Sequence, residues 1–166
     1  PRILKFWQDK KIFEFDKEDP EDVNDIVDDF RLVSSGNFDV CILASSRKPM
    51  YYKNGIHIWI KNIDEENGNL MILLSFIILG HPDWRKGNIK IFDICKEEEA
   101  ADVRKRMKEL LNSGRLPITA QNIEIIIKEE GVSPKEIINK HSVDAGLTII
   151  GFREELLNHD GHKIFE

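Results

Sequence analysis

The chain has 166 residues, 41% of them hydrophobic and 33% charged, with a formal net charge of -6. That is the length of one ordinary domain, with enough apolar material for a core that needs no disulfide or metal staple. The acidic balance lacks the basic footprint that phosphate backbones demand, which argues against nucleic acid as a partner.

The N-terminal PRILKFWQDKKIFEF has no long apolar stretch and no small-residue cleavage site, so it does not read as a secretory leader. It begins at Pro1 without Met, as an excised piece of a longer protein would. RILKFW is apolar enough for a short first strand, and KKIFEF alternates as an edge strand does. In EDPEDVNDIVDDFRLVSSGN, Val23, Ile26, Val27, Phe30 and Val33 recur at helical spacing, with Asp19 as cap, Pro20 at the first position and Gly36 at the stop. FDVCILA, residues 38–44, is a continuous apolar run of the kind that buried strands show. A polar loop, SSRKPMYYKNG, follows it.

GIHIWIK sets His57 and Trp59 against Ile56, Ile58 and Ile60, which predicts a strand with two unlike, uncharged faces. The next segment, GNLMILLSFIILG, is the most apolar in the chain. Its ten residues 70–79 fall well short of the roughly twenty needed to cross a bilayer, so it reads as a crossover helix into the strand NIKIFDI. Apolar all round, such a helix must be buried on more than one side. CKEEEAADVRKRMKELLNSG is acidic at its start and basic later, with Val103, Met107, Leu110 and Leu111 on one face, and predicts a helix ending at Gly114. NIEIIIK reads as a strand, SPKEIINKHS as a short helix capped by Ser133 with Pro134 in its first turn, and AGLTIIGF as a buried strand. Strands alternating with helices predict an α/β fold, a mostly parallel sheet with helices on both faces.

Ligands in such sheets bind beyond the carboxyl ends of the strands. Ser45, Ser46, Arg47 and Lys48 follow FDVCILA and could contact an anion, but read as a surface loop. Cys95, with Asp93 nearby, lacks a C-x-x-C partner and reads as core, as does Cys41; this cysteine usage suits a reducing compartment, with a disulfide between the two as the lesser alternative. Arg153, Glu154 and Glu155 follow AGLTIIGF where a phosphate site needs a glycine-rich turn, and neither G-x-G-x-x-G nor a P-loop occurs. His159 and His162 could share a metal but have no further close ligands, so HDGH reads as a mobile polar tail. His57 lies on a predicted strand, His141 near a helix end reads as a cap-region cation or a satisfied polar group, and DKEDPEDVNDIVDD reads as a solvated acidic helix start lacking the spacing of a calcium loop. No catalytic, cofactor or metal residue is assigned.

The stretch NGIHIWIKNIDEENGNLMILLSFIILGHPDWRKGNIKIFDI resembles the carboxyl-terminal cytosolic domain of cation-chloride cotransporters, the sodium-potassium-chloride and potassium-chloride carriers. The shared features are a strand with Trp59, an acidic glycine turn at 64–68, an apolar helix at 70–79, and Trp84 with Arg85 and Lys86 leading into a strand. DPEDVNDIVDDFRLVSSGNFDVCIL and IINKHSVDAGLTIIGF are similar to its flanking elements, so the resemblance covers about residues 20–155, with connections short enough for a prokaryotic-type member. It implies a single domain over 1–166, similar in fold to universal stress proteins, that regulates and dimerises a transporter of sodium, potassium and chloride and has no catalysis of its own. The implied partners are a second copy and the transmembrane domain of the same polypeptide, encoded before Pro1. The implied location is the cytoplasmic face of the cell membrane. Binding of adenine nucleotide (ATP) is the alternative, although the glycines of the universal-stress phosphate loop have no match after Gly151.

Overall fold

The computed structural model describes residues 20–36, 41, 51–60, 65–113, 118–151 and 158–164. The strands expected at 2–7, 10–15 and most of 38–44, and the loop residues 45–48 and 153–155, lie outside them. Two compact units divide the chain, one from 1–46 with 152–166, the other from 47–151.

In the first unit, helix α1 (Pro20–Ser35) forms where the apolar spacing predicts it, and buries Val23, Ile26, Val27 and Phe30 on one face. It stops at Gly36, whose amide donates to the Val33 carbonyl. The HDGH segment is more ordered than the expected polar tail: Gly161–Ile164 is a 3-10 turn, and a Cβ on Gly161 would stand 2.3 Å from Val27 Cγ1. Backbone packed that closely on a helix is not loose. Cys41, expected in a buried strand, is exposed and free of strand pairing.

The second unit is an α/β sandwich. Strands β1 (Ile56–Trp59), β2 (Ile89–Cys95), β3 (Ile123–Ile127) and β4 (Leu147–Ile150) form one sheet in the order β3-β2-β1-β4. Every neighbouring pair is parallel. Ile56 lies opposite both Ile89 and Leu147, and Ile91 opposite Ile123, so the odd-even alternation of each strand sorts its side chains into two faces. One face gathers Ile56, Ile58, Ile89, Ile91 and Cys95 with Met71 and Ile72 of helix α2 (Glu65–Leu79) and Val103 and Met107 of helix α3 (Ala100–Ser113). The other gathers Trp59 and Phe92 with Ile137 of helix α4 (Pro134–Ser142). The alternation of unlike faces read from GIHIWIK is therefore the division between these two cores.

Helix starts follow their caps. Ser133 Oγ accepts the Glu136 amide at 3.2 Å, and the Glu136 carboxylate accepts the Ser133 amide at 2.8 Å, with Pro134 in the first turn. The 3-10 turn Glu97–Glu99 precedes α3, and the Glu99 carboxylate accepts the Lys96 amide at 3.0 Å. The acidic glycine stretch 64–68 departs from expectation, because α2 already begins at Glu65 and runs for 15 residues with Gly68 buried inside it. Carboxylates suit a helix N-terminus, so the segment reads as a turn by composition and acts as a first helical turn. Trp59 and Trp84 do not share a core: Trp84 packs with α2, whereas Trp59 is on the α4 side.

At the amino ends of the strands the chain passes through a crowded junction. Gly55 has φ +79°, and a Cβ there would lie 2.1 Å from the Asn88 carbonyl oxygen, which itself accepts the Ile56 amide at 2.8 Å. The Gly146 amide donates to the Gly55 carbonyl at 3.0 Å, and a Cβ on Gly146 would lie 2.7 Å from the Tyr51 carbonyl oxygen. Only a residue without a side chain lets the leads into β1, β2 and β4 meet so closely.

Candidate functional site

Three places in the α/β unit have the composition of a site: the carboxyl ends of the strands, the polar cluster under α4, and the outer face of α2.

The carboxyl ends of β2 and β3 border an open cleft of about 470 Å³, lined by Lys96, Glu97, Glu98, Lys128, Glu129 and Glu130 among others. Four carboxylates against two ammonium groups make it a poor seat for a phosphate. Cys95, at the end of β2, is 5% exposed; burial pushes its thiol up, and Asp93 and Glu99 push the same way. A protonated thiol is neither nucleophile nor metal ligand, and Cys95 packs as a core residue, as read from sequence. Both cysteines are free thiols. The chain reverses its winding between β1 and β4, where doubly wound sheets hold ligands, but the loops there, at 61–64 and 152–157, lie outside the described residues.

On the opposite face of the sheet, three polar groups converge. Trp59 Nε1 donates to Ser142 Oγ at 2.9 Å, and His57 Nδ1 lies 3.0 Å from the same oxygen. The indole can only donate, so the hydroxyl accepts there. Its own proton can then go to His57 Nδ1 when that ring is neutral, with its proton on Nε2. Burial lowers the His57 pKa and the Lys90 ammonium adds to this, while Glu124 and a hydrogen bond to the His141 backbone oppose it. The ring of Phe92 stacks on Trp59 at 4.6 Å and meets His57 at 5.0 Å. His141 stands at the rim, 6.1 Å from Phe92, with Nδ1 at 3.9 Å from Glu124 Oε1. His57 is thus a satisfied polar group, and its contact with Ser142, together with the Trp59 indole, fastens α4 to the sheet. The sequence does not show this trio, because 85 residues separate His57 from Ser142.

His159 is exposed, and no group of three metal-ligating side chains occurs among the described residues. No helix among them is long and apolar enough to cross a membrane.

The outer face of α2 is the clearest departure from expectation. Met71, Ile72 and Ser75 are buried, and Ser75 Oγ donates to the Met71 carbonyl at 2.8 Å, which leaves no polar group unsatisfied there. One turn around the helix, Leu73 is 48% exposed and Ile77 65% exposed. Spaced four apart, they form a stripe along the helix, flanked by half-buried Leu70 and Leu74. Among the described residues the helix is covered on one side only, where all-round apolarity predicts cover on two.

No protein-family model matches the chain. A search of curated proteins likewise finds no match.

Proposed function

We propose that the chain is a regulatory and dimerising domain of a cation-chloride cotransporter, held at the cytoplasmic face of the cell membrane by the transmembrane domain of the same polypeptide. The observation that carries the self-association is the Leu73 and Ile77 stripe. A helix surface of large aliphatic side chains repeating every turn is self-complementary, which is what a two-fold contact requires. Charge does not oppose the approach. The unit 47–151 holds sixteen Lys and Arg against fifteen Asp and Glu, whereas the acidic surplus of the chain resides in the other unit, with eight against fifteen. Two nearly neutral units meet without net repulsion.

The transporter assignment rests on the resemblance of residues 55–94, whose strand, apolar helix and Trp-Arg-Lys turn correspond to β1, α2 and the lead into β2. Sedimentation of the 166-residue chain tests the first half of the proposal. A dimer that Ile77→Asp converts into a folded monomer is the expected result, and a strict monomer at high concentration overturns it. The second half is tested by chloride-dependent rubidium uptake through a carrier containing this domain. Flux and carrier assembly that survive deletion of the domain unchanged overturn it.

A further inference from the structure

We infer that His57 is an acid-operated latch on α4: taking up a proton breaks the His57–Ser142–Trp59 cluster, loosens the helix and uncovers the Trp59–Phe92 face of the sheet. The argument is geometric. His57 is 6% exposed and sits under the last residue of α4, where Ser142 Oγ already accepts the Trp59 indole at 2.9 Å. A protonated imidazole carries a hydrogen on Nδ1 as well as on Nε2. The hydroxyl then has to accept twice, and its own proton loses the acceptor that His57 Nδ1 supplied at 3.0 Å.

The charges around the ring do not rescue it. Lys90 on β2 and His141 on α4 repel an imidazolium, and Glu124 on β3 attracts it. Yet the Glu124 carboxylate lies 3.9 Å from His141, while no carboxylate among the described residues lies within ion-pair distance of His57. A protonated His57 is therefore left beside Phe92 at the end of α4 without a carboxylate of its own to pair with.

The direction with pH follows. The folded state holds His57 below its ordinary value of 6.5, so the unfolded or undocked state binds the extra proton more readily. Docking is complete above that value, weakens as the pH falls through the interval beneath it, and levels once the docked His57 is itself protonated. This device is independent of self-association through α2, because α4 covers the other face of the sheet.

Hydrogen exchange of the backbone amides of 135–142, corrected for intrinsic rates and referred to those of β2, reads the latch directly. Between about pH 7.5 and about pH 5, protection of α4 is expected to fall about tenfold in the wild-type chain. His57→Gln, which can still bond Ser142 but cannot take up a proton, is expected to show no such fall, and His141→Gln to retain it. An equal fall in His57→Gln, or its disappearance only in His141→Gln, overturns the assignment. Should His57→Gln fail to fold, the ring-proton titration of His57 in the wild-type chain decides. A midpoint coinciding with the loss of α4 protection, below the ordinary value, supports the latch; a midpoint at the ordinary value overturns it.

Discussion

Replacing Gly55 and Gly131 separately by alanine puts the strand junction to a quantitative test. Both glycines have a positive φ, +79° and +80°, and Gly55 combines it with ψ −161°, a region essentially closed to residues with a Cβ, so alanine at either position incurs backbone strain of about 1–3 kcal/mol. Their surroundings differ. A Cβ on Gly131 meets nothing within 4 Å, whereas one on Gly55 would sit 2.1 Å from the Asn88 carbonyl oxygen and 2.6 Å from its amide nitrogen. That neighbour is backbone and cannot swing aside as a side chain would. Moving it sacrifices the bond from the Ile56 amide at 2.8 Å, and a buried amide left unsatisfied costs about 1–3 kcal/mol. Gly131→Ala is thus expected to destabilise by about 1 kcal/mol and Gly55→Ala by about 3 kcal/mol or more, the second large enough to consume much of a domain's stability. Urea unfolding of the full chain followed by far-ultraviolet circular dichroism measures both. Equal costs within about 0.5 kcal/mol would refute the crowded junction and leave only backbone strain.

The same assay distinguishes neighbours on α2: Phe76→Asp, partly buried against the main core, is expected to cost about 3 kcal/mol or more, and Ile77→Asp less than about 0.5 kcal/mol. Ser142→Ala strands the Trp59 indole and the His57 ring nitrogen, with an expected loss of about 1–2 kcal/mol. In a Trp59→Phe background part of that loss disappears, and a double-mutant cycle showing no coupling would remove the hydrogen bond from the account. Cys95, with its thiol held protonated by burial, is expected to resist alkylation near neutral pH in the folded chain, while exposed Cys41 reacts; equal rates would contradict the burial of Cys95.

Much of the α/β unit is legible in its sequence because local signals agree with the global outcome. Ser133 and Pro134 mark the start of α4, apolar spacing marks α3, and four short runs of β-branched residues become the four strands. The boundary of α2 is less legible. Gly68 and Asn69 speak for a turn by propensity, but Gly68 is buried and the packing of its helix outweighs that cost. What periodicity cannot convey is which elements lie beside which. The assignment of Trp59 and Trp84 to opposite faces, the meeting of His57 with Ser142, and the exposure of Ile77 all depend on tertiary placement. Every residue of β1 is buried, so its sequence carries no trace of which face α4 or α2 will take.

The strand order also has a consequence for the way the chain is made. Among the described strands β1 is second from one edge of the sheet, paired on one flank by β2 and on the other by β4. During synthesis, β2 arrives about thirty residues after β1, but β4 only about ninety residues after it, once α4 has crossed back over the far face. In that interval the sequence IHIW presents an unpaired, apolar strand edge, the kind of surface that recruits other chains. A nascent chain released before residue 147 would keep that edge open. For the full-length chain, solubility in the cell would then depend on how quickly the last crossover closes, more than on the stability of the completed fold.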